Sequence, residues 1–300
     1  MKKHKTPFAV IIALIVITGA YYFLSLEKPS QEWSLAHDGT FSYPENRGLV
    51  EYEEIILNDT AEFRLSKIIY VSKGEKIYAL LRVPKTGSKA PAMVMLPGAL
   101  VTKEGQQRIA EFFQRNGIAT LTLDERGNGG ETQGGMTGME AEHTSYLNGV
   151  APVPHRMVFD ALRAFDILQG RDEIDPEKIG FYGESMGGRF AIIAAALEPR
   201  AKFLIGVSTS GYGSLKQRFD DEGVARFYAS IDPDSYVGRI SPRNVVLVHA
   251  TNDPMVPLEM AKSTYYYANK PKLFIEVNST CHGLCDEMKA QLMAELDCIL

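Results

Sequence analysis

Short apolar runs alternate with longer helix-prone stretches along most of the chain. Compact apolar runs, the pattern of parallel strands buried on both faces, cover residues 91–96, 118–123, 179–182, 203–207, 244–249 and 272–277. Amphipathic or Ala-rich stretches that predict helices cover residues 102–116, 155–169, 190–197, 258–268 and 284–300. Further strand-like segments come first, at residues 50–58, 61–72 and 76–83. This order predicts an α/β fold with a doubly wound, mostly parallel sheet.

Two stretches lack this regular pattern. Residues 124–154 contain seven glycines and little periodicity, and a segment of this length is usually functional or mobile. Residues 208–241 are irregular and rich in aromatic side chains. They predict either a small cap over a pocket or a crossover helix whose aromatic side chains face the core.

The N-terminal pattern predicts a membrane segment. Residues 8–26 contain no charged side chain, and as a helix they would be about 28 Å long, close to the hydrocarbon thickness of a bilayer. Lys2, Lys3 and Lys5 precede this segment and an acidic body follows it. This favours a single-pass cell-membrane protein with its N-terminus inside and its domain on the extracytoplasmic side. A signal peptide cleaved near residues 18–20, which would release a secreted domain, is the alternative.

These patterns divide the chain into three parts. Residues 1–26 are the anchor or signal segment, residues 27–46 form a polar linker, and residues 47–300 form the α/β domain. The 300 residues have an ordinary globular composition and a formal net charge of −5. An acidic body argues against a nucleic-acid partner, which would need a basic face. The sequence leaves the oligomeric state open.

A G-x-S-x-G motif lies between a predicted strand and a predicted helix in residues 178–196. The motif runs from Gly183 to Gly187, and these two glycines allow strand and helix to approach closely around the bend. Ser185 would stand at a helix N-terminus, where free N–H groups and the helix dipole favour developing negative charge. This context predicts a nucleophile elbow with Ser185 as nucleophile; a Gly/Ser-rich turn before an ordinary helix is the alternative.

A candidate base and a candidate orienting acid follow two later strands. Asp253 comes after the strand at residues 244–249, and His282 comes after the last predicted strand. Because parallel strands end at one edge of the sheet, we expect both to meet Ser185 there as a catalytic triad. His249 lies inside a strand and is expected to be a packed residue.

The chain resembles the α/β-hydrolases, which carry their triad in the same Ser, Asp, His order. The resemblance covers residues 77–296 and is to the dienelactone-hydrolase and prolyl-oligopeptidase-like branch. It rests on G-E-S-M-G-G, on D-E-R-G-N-G at residues 124–129, and on D-P-M-V-P around Asp253. It implies a serine hydrolase that cleaves carboxylic esters of a small-molecule acyl substrate without a cofactor or metal. A peptidase or thioesterase of the same fold, or a non-catalytic binding protein, is the alternative.

An enzyme of this kind needs two backbone N–H groups to hold the oxyanion. One comes from the residue after the nucleophile and the other from the loop after the first central strand. In this chain these residues are expected to be Met186 and Ala99.

The three cysteines lie close to the C-terminus. Cys281, Cys285 and Cys298 are too few for a disulfide scaffold, and they lack the spacing of a metal site. One disulfide would fit an exported domain, but plain thiols are the expectation, with Cys281 and Cys285 as small buried hydrophobic residues beside His282.

Overall fold

A computed structural model describes residues 33–213 and 215–300 of the chain. Its strands are β1 (Ser34–Leu35), β2 (Phe41–Ser42), β3 (Tyr52–Asp59), β4 (Phe63–Ser72), β5 (Glu75–Pro84), β6 (Ala90–Leu96), β7 (Ala119–Leu123), β8 (Ile174–Glu184), β9 (Phe203–Val207), β10 (Asn244–Ala250) and β11 (Lys272–Val277). Its α-helices are α1 (Gln107–Arg115), α2 (Met139–Leu147), α3 (Val153–Gln169), α4 (Ser185–Leu197), α5 (Glu222–Ile231), α6 (Leu258–Tyr267) and α7 (Asp286–Ile299).

Nine strands form one sheet in the order β11-β10-β9-β8-β6-β7-β5-β4-β3. The six strands from β6 to β11 pair in parallel. By contrast, β3, β4 and β5 pair antiparallel, and β5 joins the sheet antiparallel to β7. The predicted mostly parallel sheet is therefore confirmed, and the strand-like segments that precede it in the sequence form its antiparallel strands.

Helices cover both faces of the parallel part of the sheet. Phe165 of α3 and Ile192 of α4 are buried in one apolar cluster, whereas Phe113 of α1 and Leu292 of α7 are buried in another. Every residue of β7 and β9 is buried between such layers. This double burial explains why the central strands are mostly apolar in the sequence, with Thr120 and Thr122 of β7 as buried exceptions.

The strand order reverses at β6. β7 pairs with one side of β6 and β8 pairs with the other side. Ligands bind in the crevice that such a reversal opens outside the carboxyl ends of the strands. Ser185 directly follows the end of β8, while Asp253 and His282 follow the ends of β10 and β11. The candidate residues therefore lie on loops at one edge of the sheet.

Two regions hold structure that the sequence pattern does not reveal. α2 lies in the glycine-rich stretch 124–154 and buries only Glu142 and Tyr146, so it has no apolar stripe. β1 and β2 lie in the predicted linker, and each is only two residues long. Trp33 and Phe41 nevertheless pack into the core, so this part of the linker is attached to the domain.

The stretch 208–241 contains a crossover helix with buried aromatic side chains. α5 begins after Asp221, whose carboxylate accepts a hydrogen bond from the Val224 N–H at 2.9 Å. Phe227 and Tyr236 are fully buried. These aromatic side chains therefore face the core, as expected for the crossover alternative, while α5 itself packs against α2.

The predicted membrane segment at residues 8–26 lies outside the described residues. Within residues 33–213 and 215–300, no helix is both long enough and apolar enough to cross a bilayer. The anchor-or-signal assignment of residues 1–26 stays a prediction.

Candidate active site

Ser185 lies in a tight turn between β8 and α4. Its φ of +51° is in the left-handed region that side-chain-bearing residues rarely adopt. A Cβ on Gly183 would lie 2.5 Å from the Gly187 carbonyl oxygen, and a Cβ on Gly187 would overlap the Leu96 carbonyl. Both glycines are therefore required by close packing around the turn. The Met186 N–H belongs to the first turn of α4, where amides have no intrahelical partner.

His282 and Asp253 are in direct contact. The Nδ1 atom of His282 lies 2.9 Å from Oδ1 and 3.0 Å from Oδ2 of Asp253. Burial disfavours the Asp253 carboxylate, but hydrogen bonds from Val256, Met255, Ser208 and His282 outweigh it and hold the pKa of Asp253 below its ordinary value. An ionised carboxylate at Nδ1 fixes the neutral tautomer of His282 in which Nε2 is a proton acceptor.

The loops around Ser185 lie against one another. The Leu284 N–H donates to the Oε1 atom of Glu184 at 3.0 Å, and Glu184 directly precedes Ser185. On the β6 side, a Cβ built on Gly98 would lie 3.5 Å from the Ser185 Cβ. Thus the His282 loop contacts the elbow at Glu184, while the loop after β6 packs directly against Ser185.

Two other histidines are buried away from solvent. His249 lies in β10 and is buried, as predicted for a packed residue. Its Nε2 atom lies 2.9 Å from the Val256 carbonyl oxygen. Burial lowers its pKa. His155 is fully buried in α3, with Nε2 2.8 Å from the Ser230 hydroxyl. Across residues 33–213 and 215–300, no group of three or more His, Cys, Asp or Glu could hold a metal ion.

Asn128 fixes the loop that follows β6. Its Oδ1 atom accepts the Leu100 N–H at 2.6 Å, and its Nδ2 atom donates to the carbonyls of Gly98 at 3.0 Å and Val101 at 3.1 Å. The Leu100 N–H is thereby engaged, which leaves the Ala99 N–H as the candidate oxyanion donor of this loop. Sequence reasoning missed Asn128, although it stands within the D-E-R-G-N-G motif.

The acetyl xylan esterase (AXE1) family model matches residues 59–209, half of the chain. The chain belongs to the acetyl xylan esterase family. The predicted membership of the α/β-hydrolase serine esterases is therefore confirmed. The matched span contains Ser185 and Asn128, whereas Asp253 and His282 lie beyond its end.

Curated relatives of this acetyl xylan esterase family member are similar to it in sequence over only part of their length. The acyltransferase drtE of Aspergillus calidoustus is 36% identical over 135 residues, 45% of this chain and 40% of that protein. The thiohydrolase aneE of Aspergillus aculeatus is 36% identical over 121 residues, 40% of this chain and 34% of that protein. The chain thus spans two fifths or less of these relatives. The acetyl xylan esterase structure from Paenibacillus sp. R4 superposes with a TM-score of 0.72 at 20% identity, over 85% of this chain and 91% of that one, which establishes the fold.

In this esterase-family chain, the D-E-R-G-N-G motif builds a buried network of charges beside the site. Lys103 Nζ donates to Asp124 Oδ2 at 2.6 Å and to Glu131 Oε1 at 2.8 Å. Burial alone would lower the pKa of Lys103, but hydrogen bonds to these carboxylates raise it above its ordinary value. Arg126 Nε donates to Asp160 Oδ2 at 2.6 Å and joins the turn to α3. The motif therefore holds the turn after β7 in place.

A disulfide closes the short loop that carries His282. Cys281 and Cys285 are bonded, with their Cα atoms 6.3 Å apart, and Cys298 is a free, exposed thiol. The expectation of plain thiols at Cys281 and Cys285 is wrong. Gly283, which lies between the two cysteines, has a φ of +82°, a left-handed conformation that glycine adopts without a Cβ clash.

Proposed function

We propose that this chain is a serine hydrolase that cleaves carboxylic esters with Ser185, His282 and Asp253 as its catalytic triad. The observation that carries the proposal is the 2.9 Å contact between His282 Nδ1 and Asp253 Oδ1 in a loop that bonds the residue next to Ser185. Membership of the acetyl xylan esterase family supports the same chemistry.

The reaction follows from the roles of these groups. His282 Nε2 takes the proton of Ser185 as its oxygen attacks the acyl carbonyl, and the N–H groups of Met186 and Ala99 hold the oxyanion. The intermediate collapses to an acyl-enzyme when the alcohol leaves with the proton from His282. Water then attacks the acyl-enzyme by the same route, and Asp253 stabilises the imidazolium in both half-reactions.

The substrate class that we propose is a small acyl ester, with acetyl as the first choice. The family description supports an acetyl ester. A thioester is the second candidate, because the relative aneE is named a thiohydrolase and drtE an acyltransferase. Measurement of kcat/KM for p-nitrophenyl acetate and for an acetyl thioester of similar size shows which of the two substrate classes the enzyme prefers.

The nucleophile is tested by Ser185→Ala in the full-length protein. We expect loss of p-nitrophenyl acetate turnover and of fluorophosphonate labelling, with a melting temperature close to wild type, because the change removes one half-buried hydroxyl. Ser34→Ala, at an exposed serine in β1, is the control and should label normally. Retained turnover in Ser185→Ala, or absent labelling of the folded wild type, would reject the proposal.

The site of action that we propose is the extracytoplasmic face of the cell membrane, with residues 8–26 as an uncleaved anchor. The uncharged character of that segment and the lysines before it support this. Full-length protein should stay in the membrane pellet after alkaline carbonate extraction, and external protease should digest the domain. A soluble product whose N-terminus begins near residue 21 would indicate cleavage instead.

A further inference from the structure

Two buried side chains hold the backbone on the C-terminal side of His282. The Leu284 N–H donates to Glu184 Oε1 at 3.0 Å, and the Gly283 N–H donates to Ser208 Oγ at 3.0 Å. Glu184 is 8% exposed and Ser208 is fully buried. A buried N–H that loses its partner is costly, so movements of the loop that break these bonds are disfavoured.

Glu184 joins this loop to the nucleophile turn. It is the last residue of β8, directly before Ser185, and the Tyr182 hydroxyl donates to its carboxylate. A Cβ on Gly283 would lie 3.1 Å from Glu184 Oε2, so the loop passes tightly over the carboxylate. One side chain therefore fixes the spacing between the elbow and the backbone beside His282.

Ser208 joins the same loop to the end of β9. Its backbone is fixed at the end of β9 by a hydrogen bond from its N–H to the Val248 carbonyl at 2.9 Å. Its hydroxyl oxygen accepts the Gly283 N–H at 3.0 Å, and its hydroxyl is one of the groups that lower the pKa of the Asp253 carboxyl.

We propose that Glu184 and Ser208 are positioning residues for His282, which hold its ring on Asp253 and at a fixed distance from the elbow. This inference rests on the proposed function. Neither residue takes part in the chemistry; each acts through the backbone next to the base. Displacement of a reacting group by about 1 Å can cost roughly 100-fold in rate, whereas substrate contacts made by other residues are unaffected.

The test compares Glu184→Ala, Glu184→Gln and Ser208→Ala with wild type, using kcat and KM for p-nitrophenyl acetate and the rate of fluorophosphonate labelling. We expect Glu184→Ala and Ser208→Ala to lower kcat and the labelling rate by about 10- to 100-fold, with KM within about 3-fold. Glu184→Gln keeps an oxygen that can accept from Leu284, so it should retain kcat within about 3-fold.

Matched controls separate positioning from a general loss of stability. Glu142 is a buried glutamate that accepts the Val153 N–H at 2.6 Å, and Ser230 is a buried serine bonded to His155. Glu142→Ala and Ser230→Ala should lower the melting temperature without lowering kcat. Because Glu184 and Ser208 hold one loop, the double variant should lose less kcat than the product of the two single losses.

Wild-type kcat in folded Ser208→Ala and Glu184→Ala would overturn the inference. So would a kcat loss of the same size in the two control variants, or losses that simply multiply in the double variant. If Glu184→Ala does not fold, Ser208→Ala and Glu184→Gln decide the question. Activity that survives Ser185→Ala would instead remove the proposed function, which is a different result.

Discussion

Asn128 makes three hydrogen bonds with one side chain, and all of them go to the loop after β6. That loop packs against Ser185 at Gly98 and carries Ala99, the proposed second oxyanion donor. Leu100 in the same loop has a φ of +62° and is 85% exposed, so its conformation has little apolar packing to support it. The amide of Asn128 therefore supplies much of the order that an oxyanion donor requires.

Replacement of Asn128 by Ala is predicted to lower kcat by at least about 10-fold, with a much smaller change in KM. Removal of one oxyanion donor lowers kcat by roughly 100- to 1,000-fold. A loosened loop still carries the donor but positions it less well, so part of this loss is expected. Asn128→Asp should be no better, because a carboxylate cannot donate to the carbonyls of Gly98 and Val101. Steady-state kinetics with p-nitrophenyl acetate measure the effect.

Asn116→Ala is the control, because Asn116 also bonds a backbone carbonyl but lies at the exposed end of α1. It should leave kcat unchanged. An Asn128→Ala variant that folds and keeps wild-type kcat would show that the loop after β6 holds its geometry without this side chain.

At the scale of elements, the sequence predicts best those strands that are buried on both faces. The apolar run at residues 203–207 coincides with β9, and the run at 91–96 lies within β6. Both faces of such a strand are buried, so its side chains are mostly apolar and composition alone reveals it. α2 and the β1–β2 hairpin are not predictable in this way, because they are held by a few contacts rather than by a repeated apolar pattern.

The same distinction applies to the candidate site. The elbow is visible in the sequence because its steric demands fall on residues close together, Gly183, Ser185 and Gly187. Asp253 and His282 could be chosen because parallel strands end at one edge of a sheet. By contrast, Glu184 bonds a residue 100 positions away and Ser208 one 75 positions away. No local pattern records contacts of that separation, so only the fold reveals them.

At the scale of the whole molecule, an aromatic cluster joins the N-terminal hairpin to the α/β domain. The His155 ring lies at its centre, stacked on Phe41 at 3.9 Å and edge-on to Trp33 at 5.1 Å. The ring has no contact with water, and burial lowers the pKa of His155 from 6.5 to about 3. The hairpin therefore covers an imidazole that must stay neutral in the folded protein.

His155 is therefore predicted to destabilise the folded protein on mild acidification. The folded pKa of His155 lies below the unfolded value, so below about pH 6.5 the unfolded chain binds a proton that the folded chain does not. Stabilisation present at pH 7 is lost as the pH falls from 6.5 towards 3, by up to about 1.4 kcal/mol per pH unit. Burial lowers the pKa of His249 too, and this adds a loss of the same sign.

The contribution of His155 can be isolated with His155→Gln, which does not titrate but can still bond the Ser230 hydroxyl. Thermal unfolding of the full chain at pH 7, 6 and 5 can be followed by the fluorescence of Trp33, the single tryptophan, which lies within the cluster. The variant should melt lower than wild type at pH 7, yet lose less melting temperature between pH 7 and 5, because the contribution of His155 is gone while all other groups are unchanged. Parallel losses in both proteins would mean that His155 is not the group that couples folding to protons in this range, since no other change was made.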